Sequence, residues 1–145
     1  MKMLYKYPQS EFSYARLVEE NRQRGKENRE FELTDTGIFD ANRYFDVLVG
    51  YAKASPEDLL IRITAYNRGQ ESATLNILPH VWFRNTWSWG CDRNNPAVAP
   101  RGKPNMFTPR GGVIEMKQAE VGTRWLYCDS DPGLLFCNNE TNVQQ

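Results

Sequence analysis

The residues best suited to chemistry are concentrated in one stretch. Val81-Trp82-Phe83-Arg84-Asn85-Thr86-Trp87-Ser88-Trp89-Gly90 holds three of the chain's four tryptophans. Trp82 belongs to an apolar alternation, whereas Trp87 and Trp89 stand where that alternation ends. Indole rings at such a place, beside Arg84 and Asn85, can stack on the flat, weakly hydrated face of a sugar or a base. They can equally bury themselves against another domain, and the residues alone leave both uses open. Trp87, Trp89, Arg84 and Asn85 are therefore the candidate ligand contacts.

Other reactive side chains form no recognisable constellation. His80 is the only histidine in the chain. It has no second imidazole to share a metal and no serine elbow nearby, so it reads as an ordinary strand residue. Cys91, Cys128 and Cys137 are an odd number of thiols without metal-ligand or redox spacing, although Cys128 and Cys137 can face each other across a hairpin. Carboxylates are plentiful, among them Glu19, Glu20, Asp35, Asp46, Glu115, Glu120 and Asp131. Glycoside cleavage needs two of them at a defined separation across a cleft, and no spacing here selects such a pair. Catalytic residues, metal ligands and cofactor contacts are accordingly expected to be none. Asn139-Glu140-Thr141 has the form of a glycosylation acceptor, but Met1 to Pro8 lacks the apolar core of a signal peptide, so a chance match is the expectation.

Charge and hydropathy narrow the partners. Eighteen Lys+Arg balance eighteen Asp+Glu, which argues against a nucleic-acid clamp or a polybasic membrane module. Hydrophobic residues make up 40% of the chain, enough for a packed core, yet the apolar runs are too short to span a bilayer. A cytoplasmic protein is the expectation.

The elements that must position the tryptophans alternate with period two. Met1 to Tyr7 reads as a weak strand. A short helix follows, with Ser10 as N-cap, Tyr14, Leu17, Val18 and Asn21 on one face, and Gly25 as a left-handed cap. Phe31 and Leu33 alternate with Glu30, Glu32 and Thr34. Strands are expected at Arg43 to Ala52, Leu59 to Ala65 and Leu75 to Phe83, joined by turns at Ser55-Pro56-Glu57-Asp58 and Asn67-Arg68-Gly69, as an antiparallel meander. Residues 86–112 hold half of the eight prolines and read as one long loop. Strands resume at Val113 to Gln118, Thr123 to Cys128 and Leu134 to Cys137. The expected class is a mainly β, antiparallel sandwich with one short helix near the N-terminus, forming a single, incomplete domain over residues 1–145.

Several strings carry a family resemblance. Leu4-Tyr5-Lys6-Tyr7-Pro8-Gln9, Asp35-Thr36-Gly37-Ile38-Phe39-Asp40, Arg43-Tyr44-Phe45-Asp46-Val47, Asp58-Leu59-Leu60-Ile61-Arg62-Ile63 and Trp82 to Gly90 resemble a bacterial group of large proteins. These are related to glycoside hydrolase family 63, the processing α-glucosidase and mannosylglycerate hydrolase type. Gly112-Val113-Ile114-Glu115 and Trp125-Leu126-Tyr127-Cys128 extend the likeness over nearly the whole chain, as does Asn139-Glu140-Thr141-Asn142. The resemblance implies an N-terminal β-supersandwich followed by an α/α toroid that carries the catalytic acid and base. This chain looks like an internal piece of the sandwich, so no catalytic residue is carried over. Cys91 and Asn94 to Lys103 depart from the family's pattern.

Two functions follow as expectations. In one, the chain is a noncatalytic sandwich segment of a carbohydrate-active enzyme, partnered by the toroid and lending a Trp-rich loop to sugar binding. In the other, it is a stand-alone carbohydrate-binding or protein-interaction module. In either case the isolated chain, with open sheet edges and apolar faces, is expected to self-associate.

Overall fold

The computed structural model describes residues 1–87 and 102–138. The chain divides into two compact units, Met1–Ile77 and Leu78–Gln145. Each holds one three-stranded antiparallel sheet, so the fold is mainly β, as the alternation implies.

The first unit contains β1 (Lys2–Pro8), α1 (Tyr14–Arg24), β2 (Tyr44–Ser55) and β3 (Asp58–Asn67), in the sheet order β1-β2-β3. Hydrophobic alternation sets the register. Phe45, Val47 and Val49 share a face with Tyr7, Tyr5 and Met3 of β1, and Val47 and Val49 also face Ala65 and Ile63 of β3. Phe45 is buried. On the opposite face lies Asp46, which is also buried and is taken up below. The Pro56-Glu57 turn joins β2 to β3 as expected.

The helix is anchored unusually. None of its residues is buried, and Tyr14 and Val18 are exposed. It is held instead by Phe31, a buried residue of the following loop, over whose ring lie the guanidinium carbons of Arg16 at 5.1 Å and Arg24 at 4.8 Å. Ser13, not Ser10, stands at the N-cap, and it makes no side-chain capping bond. Gly25 ends the helix at φ 63° and ψ −164°, which is outside the left-handed helical well.

Two expected strands are absent, and the period-two alternation at Phe31 and Leu33 does not become a strand. Leu33–Thr36 forms a 3₁₀ turn. There the Glu32 N–H donates to Asp35 Oδ2 at 2.8 Å, and the Thr36 hydroxyl donates to the Leu33 carbonyl at 2.6 Å. Such local side-chain bonds satisfy the backbone without a ladder and override the period-two pattern. Leu75 to Phe83 keeps its alternation but forms no strand. Pro79 lies in its middle, where it offers no N–H to a ladder. The third member of the meander is β1, and among the described residues β3 is left as a sheet edge. Leu134 to Cys137 is likewise not a strand. Cys128 and Cys137 are both free thiols, and without a strand at Leu134 to Cys137 no two-strand hairpin joins their segments.

The second unit contains β4 (Asn105–Arg110), β5 (Val113–Gln118) and β6 (Gly122–Tyr127), paired in that order. β4 lies inside the stretch read as a continuous loop, because Pro109 sits at a register shift between Phe107 and Arg110 and leaves the rest of the ladder intact. Ile114 and Met116 are buried on one face of this sheet. On the other face, Phe107, Glu115 and Trp125 form a row across the three strands. Gly112, at φ 69°, closes the β4–β5 turn. Gly122, at φ 72°, ends the β5–β6 turn, where left-handed backbone is required.

Candidate functional site

The site is built at one end of the second sheet. Gln118 ends β5, and its Oε1 accepts the backbone N–H groups of Glu120 at 2.7 Å and Val121 at 2.9 Å. One amide thus holds the tight turn that presents Glu120 and Val121. Pro104 immediately precedes β4. Thr86 donates its backbone N–H to the Arg84 carbonyl at 2.7 Å, bending the chain sharply around Asn85. These pieces line a cleft of about 340 Å³ formed by Phe83, Arg84, Thr86, Trp87, Pro104, Gln118, Glu120 and Val121. That volume is within the range of small-molecule sites.

The cleft combines an aromatic and apolar wall of Phe83, Trp87, Pro104 and Val121 with a guanidinium, a hydroxyl, an amide and a carboxylate. Its charges balance, Arg84 against Glu120. An uncharged ligand with one apolar face and many hydroxyls matches such a lining better than a polyanion does.

Of the sequence-derived candidates, Trp87 and Arg84 line the cleft. Trp87 is half-buried and lies outside any strand, while Asn85 is half-buried at the apex of the bend between them. Trp89 lies outside the described residues, as does Cys91. Trp82 is exposed, with its ring 6.5 Å from that of His80. Gln118, Glu120, Val121 and Pro104 were not among the candidates. The cue for Gln118 was its place one turn before Gly122, but a strand-ending glutamine is a common residue and gives no signal of its own.

Asp46 and Glu115, both outside the cleft, are engaged in ion pairs. Asp46 accepts from Lys6 Nζ at 2.7 Å and from Arg68 Nε at 2.6 Å. The Lys6 and Arg68 hydrogen bonds hold its carboxyl below the usual range, and the Asp46 bond raises the Lys6 ammonium in turn. Lys6 also sits 4.3 Å from the centre of the Tyr44 ring. Glu115 is paired with Lys117 at 2.8 Å, which lowers its pKa. Among the described residues, no three His, Cys, Asp or Glu side chains form a group able to hold a metal ion. No helix there is long and apolar enough to cross a membrane.

Sequence comparison gives one kind of match. The chain is 35% identical, over 99% of its own length, to the Saccharomyces cerevisiae protein described as "Uncharacterized protein YMR196W". It spans 16% of that protein's length. That protein is from a yeast, whereas the family resemblance names a bacterial group. No family model matches the chain. No solved structure matches it either.

Proposed function

We propose that this chain is a noncatalytic β segment of a carbohydrate-active protein of the glycoside hydrolase family 63 type, and that the cleft beside Trp87 binds sugar. The observation that carries the reading is the cleft itself, whose lining brings together an indole, a guanidinium, an amide and a carboxylate. The ring suits the apolar face of a pyranose, and the polar groups suit its hydroxyls. The match of nearly the whole chain to a small part of a much longer yeast protein supports reading it as one part of a larger architecture. The α/α toroid is the partner this reading assigns to it, with cytoplasmic residence.

Titration of the chain with gluco- and manno-oligosaccharides, followed by NMR or calorimetry, tests the proposal. Saturable binding is expected, weakened about tenfold or more by Trp87→Ala, equal to about 1.4 kcal/mol. Absence of saturable binding, or binding indifferent to Trp87, overturns it. A stand-alone binding module is the second reading, favoured by the fact that the cleft is assembled entirely from the second unit.

A further inference from the structure

β3 is an edge strand whose sequence is written for the interior of a sheet. Among the described residues it pairs with β2 on one side only. Leu59, Leu60 and Ile61 follow one another, so apolar side chains stand on both faces at this end of the strand, and they are 63%, 58% and 52% exposed. An apolar run of this kind is more usual in a strand with a neighbour on each side. Of the usual edge protections β3 keeps only charged side chains, at Asp58 and Arg62. β3 contains no proline and no lysine, and its only register shift lies on the β2 side, between Lys53 and Ser55.

The charges on this strand are self-complementary. Asp58 and Arg62 are both exposed and flank the apolar triplet symmetrically, two residues either side of Leu60. They point to the same face as Leu60, since strand side chains alternate. Among the described residues neither forms an ion pair. An antiparallel β3 from a second copy, centred on Leu60, sets Asp58 opposite Arg62 twice, and Leu59 opposite Ile61 twice on the other face. Shifting the centre by one residue destroys both charge pairs, so the charges select the register.

We propose that two copies of this chain associate through symmetric antiparallel pairing of their β3 edges, centred on Leu60. The pairing joins two three-stranded sheets into a continuous six-stranded one, satisfies the open backbone groups of both β3 edges, and sets the exposed triplets side by side across the new ladder. It makes no use of the Trp87 cleft and stands or falls apart from sugar binding.

Sedimentation velocity on the intact chain, with Asp58→Arg, Arg62→Asp and the double exchange, tests it. The unaltered chain is expected to be dimeric at micromolar concentration. Each single variant sets like charges against each other twice and is expected to weaken the dimer at least tenfold. Mixing the two single variants is expected to restore dimers, as is the double exchange alone. Far-UV circular dichroism of each single variant controls for folding, and recovery on mixing already shows that both strands remain competent. A monomer at all concentrations overturns the proposal. So does a dimer indifferent to the single variants, or one that mixing fails to restore, because another strand or surface then occupies the interface.

Discussion

Asn21 and Phe31 clasp each other through the backbone of Phe31. The Phe31 N–H donates to Asn21 Oδ1 at 2.7 Å, and Asn21 Nδ2 donates to the Phe31 carbonyl at 2.9 Å. The same amide nitrogen also donates to the Leu17 carbonyl at 2.9 Å. A helix with no buried residue of its own is thereby tied to the buried ring that holds it in place.

Asn21→Ala removes all of these bonds at once and leaves both backbone groups of Phe31 without partners. The expected cost is about 1–3 kcal/mol, the usual range for stranding partly buried polar groups. Asn21→Asp keeps an acceptor for the Phe31 N–H but loses both donations, and should fall between the parent and Asn21→Ala. Thermal melting ranks the three proteins, and amide exchange at Phe31 reports the clasp directly. Equal melting of Asn21→Ala and the parent would show that the helix is held by other means.

The Lys6–Asp46–Arg68 cluster predicts how stability responds to pH. The Asp46 pKa is lowered by its hydrogen bonds from Lys6 and then Arg68. Its contribution is therefore present above the unfolded carboxylate pKa and is lost as pH falls through the lowered folded value. The Lys6 pKa is raised, chiefly by Asp46. That contribution is full below the unfolded lysine pKa and disappears as pH rises through the raised folded value. Stability should be flat between these limits and fall at both ends. Asp46→Asn should lower the plateau and flatten both limbs, which melting temperatures measured across the pH range will reveal.

Gln118 separates two demands on the candidate site, holding the β5–β6 turn and contacting ligand. Its Oε1 serves the turn, accepting from Glu120 and Val121. Gln118→Glu retains a side-chain oxygen for that purpose but loses the amide donor. It should keep most of the stability while weakening sugar binding. Gln118→Ala should lose both, with a stability cost of about 1 kcal/mol or somewhat more for the vacated turn. If Gln118→Glu binds sugar as tightly as the parent, the amide donor takes no part in recognition.

Much of this architecture was legible in the residues. The alternations at Phe45 to Tyr51, at Leu59 to Ala65 and at Val113 to Gln118 lie in β2, β3 and β5, and a helix ends beside Gly25. The misreadings have local causes. At Phe31 and Leu33 the pattern was right for a strand, but Asp35 and Thr36 supply hydrogen bonds that close a 3₁₀ turn. Around Pro79 the missing donor outweighs a good alternation. Pro109 misled in the opposite direction, because a proline at a register shift is compatible with β4. In the cleft, Trp87 and Arg84 drew attention by residue type. Gln118, Glu120 and Val121 did not, because their part depends on a turn brought close to Trp87 only by folding.

The paired glycines of the β4–β5 turn give a graded prediction. At Gly112 the backbone has φ 69°, which L side chains adopt at a cost, and an added Cβ would lie 2.9 Å from the Ser130 carbonyl oxygen and 3.2 Å from that of Cys128. Both obstacles are main-chain atoms. One belongs to a segment already fixed by the 2.7 Å bond from the Cys128 N–H to the Gly112 carbonyl. At Gly111 an added Cβ would instead meet the Asp131 carboxylate at 2.7–2.8 Å. That is the end of a side chain, and it can rotate away. Gly112→Ala should therefore cost more than the roughly 1–2 kcal/mol of the left-handed conformation alone. Gly111→Ala should cost clearly less, and an added Asp131→Ala should recover most of its loss. Denaturant melts of the two single variants and the double variant decide the order. Gly111→Ala proving the worse, or failing to improve when Asp131 is shortened, would mean that the turn and the Asp131 segment are not packed against each other in this way.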